Sequence, residues 1–308
     1  MKEVAGDRKW QKGLEWGFLI LAYLFLLYKV CTYDDYAQFF SQLSEFSLTH
    51  WCFALLALLL MPINLLCEAT KWKHLLSPLI QRPLISAYYD VFKGLIAAFA
   101  TPNRLGEFPG RALWMPPSMQ IPAITLGFIG SILQILLIFT LGLPAIYYLF
   151  HNITYITQPA SYFICGVLLI FIILAAGLYF SQRLKSQLKQ LLHTISQLTA
   201  KHFFIVLIAT IVRYAIFSFQ LYLMLLCCHI YLSPQQALLA IPAYYFLITF
   251  TPSISAAEPA IRGSWAMVAF APFSSNTPGI AMAAILLWII NGVIPLMIGS
   301  VLKRPPTQ

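Results

Sequence analysis

TPNRLGEFPGRALWM, residues 101–115, and TPSISAAEPAIRGSWAM, residues 251–267, decide the fold. In each stretch a Glu is followed by an Arg four residues later and a Trp seven residues later. These are Glu107, Arg111 and Trp114 in the first, and Glu258, Arg262 and Trp265 in the second. A Thr-Pro pair stands upstream of each Glu, and no other acidic residue occurs after Asp90. Two isolated carboxylates in matching surroundings constitute an internal repeat. Pro102 and Pro252 should each end an incoming helix, because a residue before proline is pushed out of the α region. Pro109 and Pro259 suit the first turn of a returning helix, where a missing backbone N–H costs nothing. Each Glu then stands near a positive helix end, and an Arg one turn on can pair with that Glu or with a ligand.

Both stretches lie inside a very apolar chain. Of its 308 residues 60% are hydrophobic and 9% charged, against roughly 25% charged in a soluble domain, which excludes a soluble protein. Apolar runs predict six membrane-spanning helices, at residues 14–30, 51–67, 121–149, 162–180, 203–228 and 278–302. Residues 14–30 read as a retained helix rather than a signal peptide, since no small-residue cleavage pattern follows and Lys29 sits where such a region should be neutral. Residues 84–119 and 234–272 are also apolar but are interrupted by the repeat. If each returns to the side from which it came, thirteen Lys and Arg fall on one side, and the loops at 31–50, 150–161 and 229–233 carry none. The positive-inside rule then places both termini in the cytoplasm. Between them, residues 182–200 set Leu184, Leu188, Leu191, Ile195 and Leu198 on one face, as an amphipathic helix along the membrane surface would.

The expected fold is therefore an all-α integral membrane protein with six spanning helices and two oppositely oriented re-entrant helical hairpins. Its halves, residues 1–157 and 158–308, would be inverted repeats within a single membrane domain. In such broken-helix plans the site lies at the repeat interface near the midplane.

At these residues the chain resembles the transmembrane, flippase-like domain of lysylphosphatidylglycerol synthases, which also occurs as a standalone membrane protein. The likeness rests on TPNRLGE with Arg111 and on the second Pro-x-Glu element with Arg262. It is supported by the run Asn64, Glu68, Lys71, Trp72 and by Arg213 with Tyr214. The second element has Ser253 to Ala257 where glycines are usual in the family, and the soluble aminoacyl-transferring domain is absent. The resemblance implies movement of a lipid across a bacterial inner membrane, without lipid synthesis.

Ionisable residues inside a bilayer are costly and mark function or structural pairing. The candidate substrate-binding residues are Glu107, Arg111, Glu258, Arg262, Arg213, Arg104 and Asn103. Arg213 falls about 18 Å along a helix from Lys201, near mid-membrane; Asn103 and Arg104 stand at the first turn. Glu68 and Lys71 read as an interfacial ion pair at the cytoplasmic end of the second span. Six cysteines in or beside apolar runs read as small apolar side chains. No metal site, nucleotide loop, cofactor motif or catalytic set is expected, and charge confined to short loops does not suit nucleic acid.

Arg104, Arg111, Arg213 and Arg262 face only Glu107 and Glu258, a surplus of two positive charges that a low-dielectric site should not leave unpaired. With converging helix N-termini, that surplus points to a phosphate-bearing partner such as a phospholipid or a polyprenyl-phosphate carrier. The alternatives are a non-catalytic subunit that positions a cell-envelope glycosyltransferase or other envelope-biosynthesis enzyme, and a membrane-embedded lipid transferase.

Overall fold

The structure is a computed structural model that describes residues 46–152 and 198–302, with a few positions between 24 and 41. The expected span at 162–180, all but three positions of the span at 14–30, and all but the end of the amphipathic segment 182–200 lie outside the described residues. Every described element is helical. Among the described residues four helical stretches are long and apolar enough to cross a membrane, which supports a helical membrane protein.

The first of the four, α1 (Leu48–Leu75), runs two turns past the expected end at residue 67. Hydropathy ends a span where charges begin, but Glu68 and Lys71 satisfy each other inside the fold, so the helix continues. The first interrupted segment follows as α2 (Leu84–Phe99), a 3-10 turn (Pro102–Arg104) and the six-residue α3 (Glu107–Ala112). The second long helix is α4 (Pro117–Asn152), and after the undescribed stretch comes the third, α5 (Ala200–Cys227). The second interrupted segment is α6 (Pro234–Phe250) and α7 (Glu258–Phe270).

The fourth stretch was expected as one unbroken helix. It is α8 (Thr277–Trp288), a π-helical turn (Ile289–Val293) and α9 (Ile294–Val301). Pro295, with no N–H to donate to the preceding turn, accounts for the widening.

Both interrupted segments break at their Thr-Pro pair, and the same hydroxyl device closes each break. Thr101 donates to the Ala97 carbonyl (3.0 Å) and accepts the Gly106 N–H (2.8 Å). Thr251 donates to the Leu247 carbonyl (2.7 Å) and accepts the Trp265 indole N–H (2.8 Å). Each hydroxyl thus occupies a carbonyl at the end of the incoming helix and ties it to the returning arm. The positive-end argument holds for only one arm: α7 has 13 residues, whereas α3 has 6, too few to sum an appreciable dipole.

Among the described helices the cross-packing recurs when the first and second segments are exchanged. α1 packs along α5; α4 crosses to pack on α6, and α9 crosses to pack on α2. Each half therefore lends its last helix to the other half's interrupted segment. Trp72, Tyr244, Phe246 and Phe270 fill the interior, while Leu55, Leu59, Ile132, Phe204 and Ile208 stay exposed on the long helices as a lipid-facing surface.

Candidate functional site

Glu68 is the hub of a buried ionic cluster between α1, α3 and α5. Its Oε1 accepts from Arg111 at 2.7 Å, and its Oε2 lies 2.7 Å from Lys71 Nζ and 2.8 Å from Arg213 Nη1. Arg111 reaches Glu107 with its other terminal nitrogen. Arg213 also donates to Asn64 Oδ1 (3.2 Å) and to Gln134 Oε1 (2.5 Å), which brings α4 into the cluster. The Trp72 and Phe108 rings each lie 5.6 Å from the Arg111 guanidinium. A second ion pair steadies this wall, for Arg82 grips Asp90 through two bonds (2.5 and 2.7 Å) and Trp72 donates to the same carboxylate at 3.3 Å.

Arg111 can be this deep, at 1% exposure, because α2 carries Gly94 where the side chain passes. A Cβ there would lie 2.6 Å from Arg111 Cγ and 2.7 Å from the Glu107 carbonyl oxygen.

The second half is built more loosely. Arg262 Nη2 stands 3.6 Å from Glu258, which instead accepts a 2.8 Å hydrogen bond from Trp288 at the edge of the π-turn. Arg262 lies beside Tyr244 and keeps a quarter of its side chain exposed. Among the described residues the ionic hub has no counterpart here. α1 and α5 are both 28 residues long, and the register that holds Glu68 in α1 holds Gln220 in α5. Gln220 is fully buried and neutral; it donates to the Ala57 carbonyl (2.8 Å) and accepts from Asn291 of the π-turn (3.1 Å).

The tips of the two interrupted segments touch. The Asn103 N–H donates to the Ser253 carbonyl (2.8 Å), the Ser253 N–H donates to Asn103 Oδ1 (2.7 Å), and the Ser255 hydroxyl donates to the Phe99 carbonyl (2.5 Å). Asn103 and Arg104 both have positive φ, 50° and 58°, a left-handed pair that side chains other than glycine adopt at a cost. This turn carries Arg104 to a cleft lined by Leu95, Phe99, Arg104, Glu258, Trp288 and Gly292. Arg104 lies 3.6 Å from Glu107, with 36% of its side chain exposed.

The structure thus sorts the expected site residues into two groups. Glu107, Arg111 and Arg213 are drawn into the buried cluster, Arg213 on Glu68 rather than on Glu107 or Glu258. Arg104 and Glu258 meet at the cleft with Arg262 behind Glu258, and the Asn103 side chain is spent on the Ser253 backbone. Glu68 and Lys71, expected at the interface, are 3% exposed and central. Their signal was available, since Asn64, Glu68 and Lys71 recur at helical spacing on one face. Trp288 gave no such signal, because it meets Glu258 from thirty residues further along the chain. Counting Glu68 and Lys71, five cations face three carboxylates, so the surplus of two is unchanged.

Among the described residues no group of three or more His, Cys, Asp or Glu is placed to hold a metal ion. No family model, curated protein or solved structure matches the chain.

Proposed function

We propose that this protein carries a phosphate-bearing lipid across the bilayer, its headgroup binding at the cleft between Arg104 and Glu258. In this account the chain has six spans, and the two interrupted segments are re-entrant hairpins entering from opposite faces of a bacterial inner membrane, with both termini cytoplasmic. The exchange of last helices between halves supports the inverted repeat, and the meeting of the tips supports a site at its interface. The resemblance to the flippase-like domain points the same way.

One observation carries the choice of headgroup. Among the described residues, Lys71, Arg111, Arg213 and Arg104 on the first-half side form ion pairs only with Glu68 and Glu107, so the two surplus charges belong to this cluster. Arg104 is its exposed member, and it opens on the cleft. A phosphate there neutralises the surplus and accepts from the planar guanidinium donor set. The converging charge does not favour a cationic lipid without phosphate.

Thermal unfolding of the purified protein in detergent, with lipid titrated in, tests the headgroup. Anionic phospholipid and polyprenyl phosphate should raise the midpoint, and Arg104→Gln should remove most of that rise. Equal stabilisation by neutral diacylglycerol would show that phosphate is not what the site reads.

A further inference from the structure

The contact between the two tips does more than hold the site together. We infer that Asn103, Ser253 and Ser255 form a latch closing the route between the halves, and that the latch must part for each headgroup that passes. The inference rests on the transport reading above.

Three features of the contact support a latch. It is reciprocal, with a backbone N–H from each tip donating to the other, at 2.8 and 2.7 Å. It is small and polar, so opening it exposes groups that water or a lipid headgroup can satisfy, whereas parting two apolar surfaces would not offer that exchange. And it costs strain, since Asn103 and Arg104 hold left-handed conformations that the bonds to Ser253 and Thr101 keep in place. An arrangement held against its own backbone preference is suited to switching between two states.

The cleft behind the latch also requires movement. Its enclosed volume is about 10 Å³, room for about one water, against the roughly 300–1,000 Å³ of pockets that take a small molecule. A lipid headgroup with its glycerol does not pass without widening, and the two tips, joined by three hydrogen bonds, are where the interrupted segments can part. Because Arg104 follows Asn103 directly, parting the latch also releases the exposed arginine to follow the phosphate.

The experiment uses full-length protein with its native cysteines replaced, carrying Asn103→Cys with Ser253→Cys, reconstituted in liposomes with a fluorescent anionic phospholipid. Oxidation should stop translocation in the cross-linked fraction, and reductant should restore it in the same vesicles. Translocation at full rate by cross-linked protein would overturn the latch. Should the cysteine-free parent move no lipid at all, the transport reading itself fails, and the two failures are told apart by that control.

Asn103→Ala supplies a second arm. Alanine loses the carboxamide bond to Ser253 and pays more than asparagine for the positive φ, so both effects favour the open state and translocation should speed up by roughly fivefold. An unchanged or slower rate in a stably folded Asn103→Ala protein would contradict the inference.

Discussion

Glu68 holds three cations within 2.8 Å while 3% exposed, and Glu258 holds a tryptophan N–H with its arginine no nearer than 3.6 Å. The two carboxylates should therefore respond differently to the same change. Glu68→Gln strands Lys71, Arg111 and Arg213 without a common counter-charge, and the loss should be about 3–5 kcal/mol, read as a large fall in the unfolding midpoint. Glu258→Gln still accepts from Trp288, so it should fold normally and transport slowly. Similar midpoints for the two variants would contradict this division. Lysine in place of arginine separates the halves again. Arg111→Lys cannot bridge Glu68 and Glu107 at once and should destabilise, whereas Arg262→Lys should leave stability intact and weaken lipid binding. The repeat made Glu107, Arg111, Glu258 and Arg262 legible in the sequence. It did not show that Arg111 is sealed in while Arg262 keeps a quarter of its side chain exposed, because that depends on Glu68 against Gln220, a difference outside both motifs.

At the scale of elements, the helix breaks were readable and the helix ends were not. Thr-Pro marked both breaks because proline acts on the residue before it, a local effect. The end of α1 depends on partners distant in sequence, Arg111 and Arg213, which hold Glu68 inside the fold, and the π-turn follows from Pro295, whose effect on the turn before it hydropathy does not register. The return of α3 onto α2 depends on small residues at the contact, Gly94 on α2 and Gly106 and Gly110 on the returning arm. Gly94→Ala places a methyl 2.6 Å from Arg111 Cγ and 2.7 Å from a backbone carbonyl that cannot swing away. It should destabilise by about 1–3 kcal/mol. Its signature is a partial loss of the cluster, so Gly94→Ala and Glu68→Gln combined should cost less than the sum of their separate effects. Strict additivity would mean that the glycine does not act through Arg111.

For the whole molecule, the helical membrane architecture followed from composition and apolar runs. The sidedness comes from loop charge alone and is open to direct test. Single cysteines replacing Asp35, Thr154 and Ser233, in a background with the native cysteines removed, should each react with an impermeant thiol reagent from outside the cell. Exclusively cytoplasmic labelling at Thr154 would contradict two segments that return to their own side. What no linear pattern displays is the exchange by which α4 packs on α6 and α9 on α2, since it joins residues from opposite halves. That exchange sets the tips together and aligns Arg104 with Glu258, so the molecule's function should depend on both halves at once. The most direct test is transbilayer movement itself: purified protein in liposomes, fluorescent lipids of different headgroups, and a membrane-impermeant quencher added outside. The account predicts that phosphate-bearing lipid moves between leaflets chemically unchanged, that neutral diacylglycerol does not compete, and that Arg104→Gln slows the movement. Lipid that stays in its leaflet, or emerges chemically modified, would contradict it.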